Sequence, residues 1–162
     1  MSENRDAYIK IGTIKGEATE ANHKEWSNVV RFDFSLHLPT RSAGVAAGGP
    51  LSFGDVQFAA LRIVKTLEKS SPDLFLACCK GQVLKEVVLE KLKKVGDSTM
   101  TKSFSIKLTD AVITSYEPQD DDEEILTFAF VKIEFSYVSI GPDGKVKGTV
   151  TRFWDLKTNT GG

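Results

Sequence analysis

The chain has 162 residues, enough for one well-buried domain and short for two. Hydrophobic residues at 41% and charged residues at 27% are the balance of a globular protein, and no apolar run approaches the ~20 residues of a membrane-spanning helix. The formal net charge is −1 with Lys and Arg scattered along the chain, which argues against the clustered basic surface of a nucleic-acid binder.

The opening "MSENRDAY" is polar and lacks the basic-then-apolar order of a cleaved signal peptide. The expectation is a protein made and folded in the cytosol, with any export by a route that ignores signal peptides. "YIKIGTI" reads as a first short strand. "VRFDFSLHL" places Val30, Phe32, Phe34, Leu36 and Leu38 on one face and Arg31, Asp33, Ser35 and His37 on the other, the period of a half-buried strand.

A long connection follows, rich in Gly, Ala and small polar residues: Pro39, Thr40, Arg41, Ser42, Ala43, Gly44, Val45, Ala46, Ala47, Gly48 and Gly49. It has neither GxGxxG nor GxxxxGK[ST], so it is no phosphate cradle. Loops longer than about 12–15 residues inside a domain are usually functional or disordered, and small residues here let a partner backbone come close.

One helix is well signalled, in "SSPDLFLACCKG". Ser71 is the expected N-cap, Pro72 the first helical residue and Gly81 the terminator, with Leu74, Phe75, Ala77 and Cys78 facing a sheet. The adjacent Cys78 and Cys79 have no CxxC spacing and read as small packing residues. "VLKEVVLEKLKKV" fits a helical period through Leu84, Val87, Val88, Lys91, Leu92 and Val95 better than it fits a strand.

"FSIKLTDAVITSY" alternates as a strand with Phe104, Ile106, Leu108, Val112 and Tyr116 on one face, while the other turns apolar at Ala111 and Ile113. "EILTFAFVKIEFSYVSI" is apolar on both faces over its first half: Leu126, Phe128 and Phe130 on one, Ile125, Ala129, Val131 and Ile133 on the other. Such a strand needs cover on both sides, from the helix or from a neighbouring subunit. "GPDG" marks a hairpin turn before "KVKGTV", and "VTRFWDL" reads as a last strand. Many short strands around one helix indicate a mainly β protein, a β-barrel or sandwich with a helix on one side.

Candidate chemistry is sparse. His23 falls in a polar loop and His37 alternates outward, and neither stands in HExxH or beside a GxSxG serine. "DDDEE" at Asp120–Glu124 lacks the spaced oxygen ligands and Gly of an EF-hand loop and reads as a solvated turn. No catalytic residue, metal site or cofactor is expected.

The order of "YIKIGTIKGEAT", the Gly/Ala-rich loop, "EKSSPDLFLACCKG" and "FVKIEFSYV" resembles the haemolysin-coregulated protein (Hcp) family, the tube protein of bacterial type VI secretion, over essentially the whole chain. The resemblance implies one domain over residues 1–162: a β-barrel-like fold of two packed sheets with a short flanking helix and an extended loop. It implies a strand near Leu84–Leu92, against the period. It further implies hexameric rings stacked into a tube, secreted through the apparatus with a VgrG-type spike and a contractile sheath, and carrying small effector proteins. The protein is then structural and no enzyme, with no nucleic acid or membrane insertion involved. Pro39–Gly49 becomes the ring-stacking loop, and Leu126, Phe128 and Phe130 mark an expected subunit-interface strand. The chain ends shortly after its last strand, which leaves no room for a fused toxic domain. The rival is a monomeric barrel binding a small apolar ligand in a deep pocket.

Overall fold

A computed structural model describes residues 6–40, 53–95 and 99–162. The strands are β1 (Ala7–Ile11), β2 (Ser27–Asp33), β3 (Leu36–His37), β4 (Gln57–Phe58), β5 (Leu61–Thr66), β6 (Leu84–Val95), β7 (Thr99–Pro118), β8 (Glu123–Ala129), β9 (Lys132–Ile140), β10 (Val146–Asp155) and β11 (Thr160–Gly161). The helix α1 spans Ser71–Lys80. Neighbouring strands run β11-β10-β9-β7-β6-β1-β2-β5-β8, and β8 pairs again with β7. The last pairing closes a six-stranded barrel, from which β9, β10 and β11 extend as a second wing.

β7 makes both structures possible. Its residues 104–109 pair with β9 and its residues 112–118 with β8, while its other edge carries β6. Inward side chains shift phase where the partner changes: Ile106 and Leu108 are fully buried, then Ala111 and Ile113. Asp110 sits between them at φ 51, a left-handed conformation that Asp tolerates better than most residues. An irregularity between Ile113 and Ser115 then returns the inward phase towards Tyr116.

The same device explains two departures from the sequence reading. A register shift between Val29 and Arg31 buries Val29 rather than Val30, and β2 ends at Asp33, leaving Leu36 and Leu38 exposed on a separate β3–β4 ribbon. The expected doubly apolar strand is two strands, β8 and β9, interrupted at Phe130–Val131. Leu126 and Phe128 point inward before the break and Ile133 after it, while Ile125 and Val131 are half-buried and Ala129 is exposed. The Leu84–Val95 segment is a strand, as the resemblance implied and the helical period did not. Val87 and Leu89 are fully buried, and cross-strand pairing with β1 and β7 overrides a helical spacing built partly from lysines.

The helix begins one residue earlier than expected. Ser70 holds the cap position without a side-chain cap bond, and Ser71 is already helical. At the other end Gly81 adopts φ 58, and the Gly81 and Gln82 N–H groups bond to the Cys78 and Ala77 carbonyls. Leu74 and Ala77 are buried and Cys78 is half-buried against the core, but Phe75 is 56% exposed. The turn Gly141–Gly144 joins β9 to β10, closed by the Gly144 N–H on the Gly141 carbonyl at 3.0 Å. β10 has an irregularity between Val146 and Gly148, and among described residues its outer edge takes only β11, at Trp154 and Asp155.

Beneath α1 lies a buried ionic cluster. Lys65 and Glu124 are fully buried and paired, and the ammonium also reaches the Thr66 carbonyl at 3.1 Å and Glu68 at 3.4 Å. Three donors thus meet three acceptors. Glu124 further accepts from the Ser71 hydroxyl at 3.0 Å and the Tyr116 hydroxyl at 2.5 Å. Burial and the Glu124 carboxylate push the Tyr116 phenol up to about 12, so it stays a donor. Glu68 is the second hub. Burial alone would raise its carboxyl, but hydroxyls of Ser27 and Ser70, the Lys65 ammonium and the Glu17 N–H hold it below its ordinary value.

Removing one partner of a buried ion pair strands the other. Lys65→Met is expected to cost about 3–5 kcal/mol in urea unfolding, and Lys65→Met with Glu124→Leu to cost less than Lys65→Met alone. The depressed Glu68 carboxyl contributes stability present above its unfolded value and lost as pH falls through its folded one. Thermal unfolding followed downward from pH 6 should show the wild type losing stability below about pH 4.5, with a flatter profile for Glu68→Gln.

Candidate assembly surface

The residues at the two ends of the expected stacking loop form a built neck. Leu36 pairs with Phe58 and His37 with Gln57, the Pro39 carbonyl accepts the Gly54 N–H at 2.8 Å, and Thr40 bridges Phe53. Pro39 and Thr40 are therefore fixed at its base. Arg41, Ser42, Ala43, Gly44, Val45, Ala46, Ala47, Gly48 and Gly49 lie outside the described residues. Leu36, Leu38 and Phe53 around the neck are each about half exposed.

The structure does not bring Leu126, Phe128 and Phe130 to a surface together. Leu126 and Phe128 are fully buried in the chain's own core, and Phe130 is half-buried against Phe58, ring centroids 5.9 Å apart. The Leu126 and Phe128 side chains are part of the chain's own core. Of the helix residues, Ser71 is tied to the ionic cluster, and Pro72 occupies the first turn beside it. Phe75 stands edge-on to Tyr116 at 6.4 Å with most of its surface free.

An exposed apolar surface on β9 and β10 is one that the sequence reading passed over. On β9, Ile133 is buried, but Phe135 and Tyr137, on the same face, are 40% and 52% exposed. Val150 of β10 stands opposite Tyr137, and Phe104 of β7 opposite it on the other side. Phe104 meets Phe135 edge-on at 4.8 Å, and Phe34 tilts against Phe135 at 6.4 Å. Alternation along β9 could not show where the barrel stops covering this face. Beyond the barrel, Tyr137 and Val150 are each more than half exposed among the described residues.

His23, set aside as a loop residue, is buried. Its ring stacks on Tyr8 with centroids 4.7 Å apart, and Trp26 meets it edge-on at 4.6 Å. One ring nitrogen bonds Glu20 and the other Glu90, at 2.7 Å for the second. The bond from His23 holds the Glu20 carboxyl below its ordinary value despite partial burial. The cluster fastens the β1–β2 connection onto β6. Cues existed in Tyr8, His23 and Trp26, but their meeting depends on the sheet. Among the described residues no group of three or more His, Cys, Asp or Glu is placed to hold a metal ion. Among them, too, no helix is long and apolar enough to cross a membrane.

Comparison with known proteins agrees with this architecture. The sequence profile of the family described as "Type VI secretion system effector, Hcp" matches residues 8–137. Protein hcp1 of Pseudomonas aeruginosa is 26% identical over 160 residues, covering 95% of this chain and 96% of that protein. A solved type six secretion system protein superposes with a TM-score of 0.88 at 26% identity, covering 97% and 99% of the two chains. Hcp1 from Salmonella typhimurium, at 22% identity and a TM-score of 0.74, covers 96% of this chain and 97% of its own and supports the fold. The profile match takes in the barrel, the helix and most of β9, and on it the chain belongs to the Hcp family of the type VI secretion system, a structural protein and not an enzyme.

Proposed function

We propose that this chain is the subunit of the secreted inner tube. Six copies close into a ring, rings stack through the Pro39–Gly49 arm, and the tube leaves the cell through the type VI apparatus without a signal peptide. A VgrG-type spike caps it, a contractile sheath drives it, and small effectors travel in its channel. The observation that carries this reading is the uncovered sheet face of Phe135, Tyr137 and Val150 on a chain whose barrel is otherwise closed. Contiguous exposed apolar surface of this kind marks a protein contact.

The rival, a barrel that swallows a small apolar ligand, loses its pocket. Ile9, Leu61, Ile63, Leu89, Ile106, Leu108, Leu126 and Phe128 are fully buried in the core cluster and fill the barrel with side chains. The grooves around Thr13 and Lys15, of about 410–460 Å³, are surface clefts lined mainly by charged and polar side chains.

In sedimentation velocity the wild type should run as six chains of 17.8 kDa. Tyr137→Glu with Val150→Glu should weaken that association at least tenfold while leaving the thermal midpoint nearly unchanged, since both side chains are already exposed. A stable wild-type monomer refutes the ring. Replacing Ala46 with Glu and Gly48 with Lys should leave rings of normal mass but no tubes by negative-stain electron microscopy. Long tubes from that variant refute the loop's stacking role.

A further inference from the structure

Charge that looks scattered along the chain is sorted by the fold to the two ends of β7. At its N-terminal end the β6–β7 and β9–β10 hairpins lie side by side. Gly144 is so close to Val95 that a Cβ there would stand 2.8 Å from Val95 Cγ1. This tip carries exposed Lys91, Lys93, Lys94, Lys102, Lys145 and Lys147. Of the acids described there, Glu90 is engaged by His23 and Lys102 and Asp143 by the Lys145 N–H, which leaves Asp6, beside Leu92, against six lysines. Asp97 lies outside the described residues.

At the C-terminal end of β7, the β7–β8 turn carries exposed Glu117, Asp120, Asp121 and Asp122, with half-buried Glu123. The turn is held by the Leu67 N–H on the Asp122 carbonyl at 2.8 Å, and Lys69 is the exposed cation of the adjoining connection. None of these five acids is within ion-pair distance of a described cation, and of the tip lysines only Lys102 is within that distance of a described acid. Lys102 and Glu117 are fifteen residues apart on one strand, a contour of about 50 Å at about 3.3 Å per residue. The two charges cannot meet within one chain.

Each pole also presents uncovered apolar surface. The tip has Tyr137, Val146 and Val150 exposed, and the acidic end has Phe75 exposed against Tyr116, one residue before Glu117. An apolar centre with a charged rim is the anatomy of a protein interface, and here the two rims are of opposite sign. We infer that the lysine-rimmed hairpin tip of one copy docks on the acid-rimmed β7–β8 turn of the next, and that this head-to-tail contact closes the ring. A heterologous contact of this type needs two different surfaces on one chain, and the poles of β7 supply them. The inference rests on the ring reading above and names its surfaces.

The test uses two variants of the full chain, Lys93→Glu with Lys94→Glu, and Asp120→Lys with Asp121→Lys, each checked for a wild-type circular dichroism spectrum. All four side chains are exposed, so neither pair disturbs the core. The first variant leaves the tip with four lysines against two glutamates, and the second leaves the turn with three acids against two lysines, so each strips one pole of most of its net charge. By sedimentation velocity each alone should lose at least tenfold in association relative to wild type, and an equimolar mixture should recover ring mass as an alternating assembly. A wild type that forms rings while either variant alone does so equally well overturns the contact and leaves the ring reading standing. A mixture that stays monomeric beside wild-type rings also overturns it. A wild type that is itself monomeric overturns contact and ring reading together.

Discussion

One strand has to satisfy two sheets. β7 gives one edge to β6 and divides the other between β9 and β8, so a single backbone carries the barrel and its wing. A strand presents alternate side chains to alternate faces, and any change in which face is buried requires a change of phase. Asp110 provides it within β7, and the break at Phe130–Val131 provides the matching change between β8 and β9. Leu108, Ala111, Ile133 and Leu126 can then share one core. Without both adjustments the wing or the barrel would turn its apolar side chains outward.

The end of the barrel under α1 is held by a different force. Lys65 and Glu124 are buried ions, and such pairs seldom add stability over an apolar packing of the same shape. Their value is directional. Glu124 takes one bond from the helix through Ser71 and another from β7 through Tyr116, while Glu68 gathers the β1–β2 connection and β2 through Glu17 and Ser27. The helix is thereby fixed in one rotation, with Leu74 inward and Phe75 outward. The outward position of Phe75 is thus set by interior polar chemistry.

Much of this was written in short-range pattern. The helix and its Gly81 stop, the GPDG hairpin and the alternation of β7 follow from local residue chemistry, and even the change to Ala111 and Ile113 showed as a change of apolar phase. The β6 strand did not, because "VLKEVVLEKLKKV" supports either period and pairing with β1 and β7 decides. Nor did the burial of Leu126 and Phe128 in the chain's own core, because apolar residues on both sides of β8 left their inward face undecided. The exposure of Phe135 and Tyr137 had no local signature at all. It depends on how far β2 and the barrel reach along the wing. The polarity of charge was equally hidden: the lysines of residues 91–102 and 145–147 are far apart in sequence and adjacent only through hairpin pairing.

Any strand edge left unpaired is a hazard to a folded chain, and among the described residues β10 is such an edge over most of its length. Its irregular stretch at Val146–Gly148 places Lys147 and a glycine where a straight ladder would have to start. A bulge and a lysine are the means by which natural sheets discourage edge-to-edge polymerisation into fibrils. Addition through the backbone, which would have no natural end, is thereby discouraged, while the exposed apolar side chains of Tyr137 and Val150 lie on a face and not on that edge.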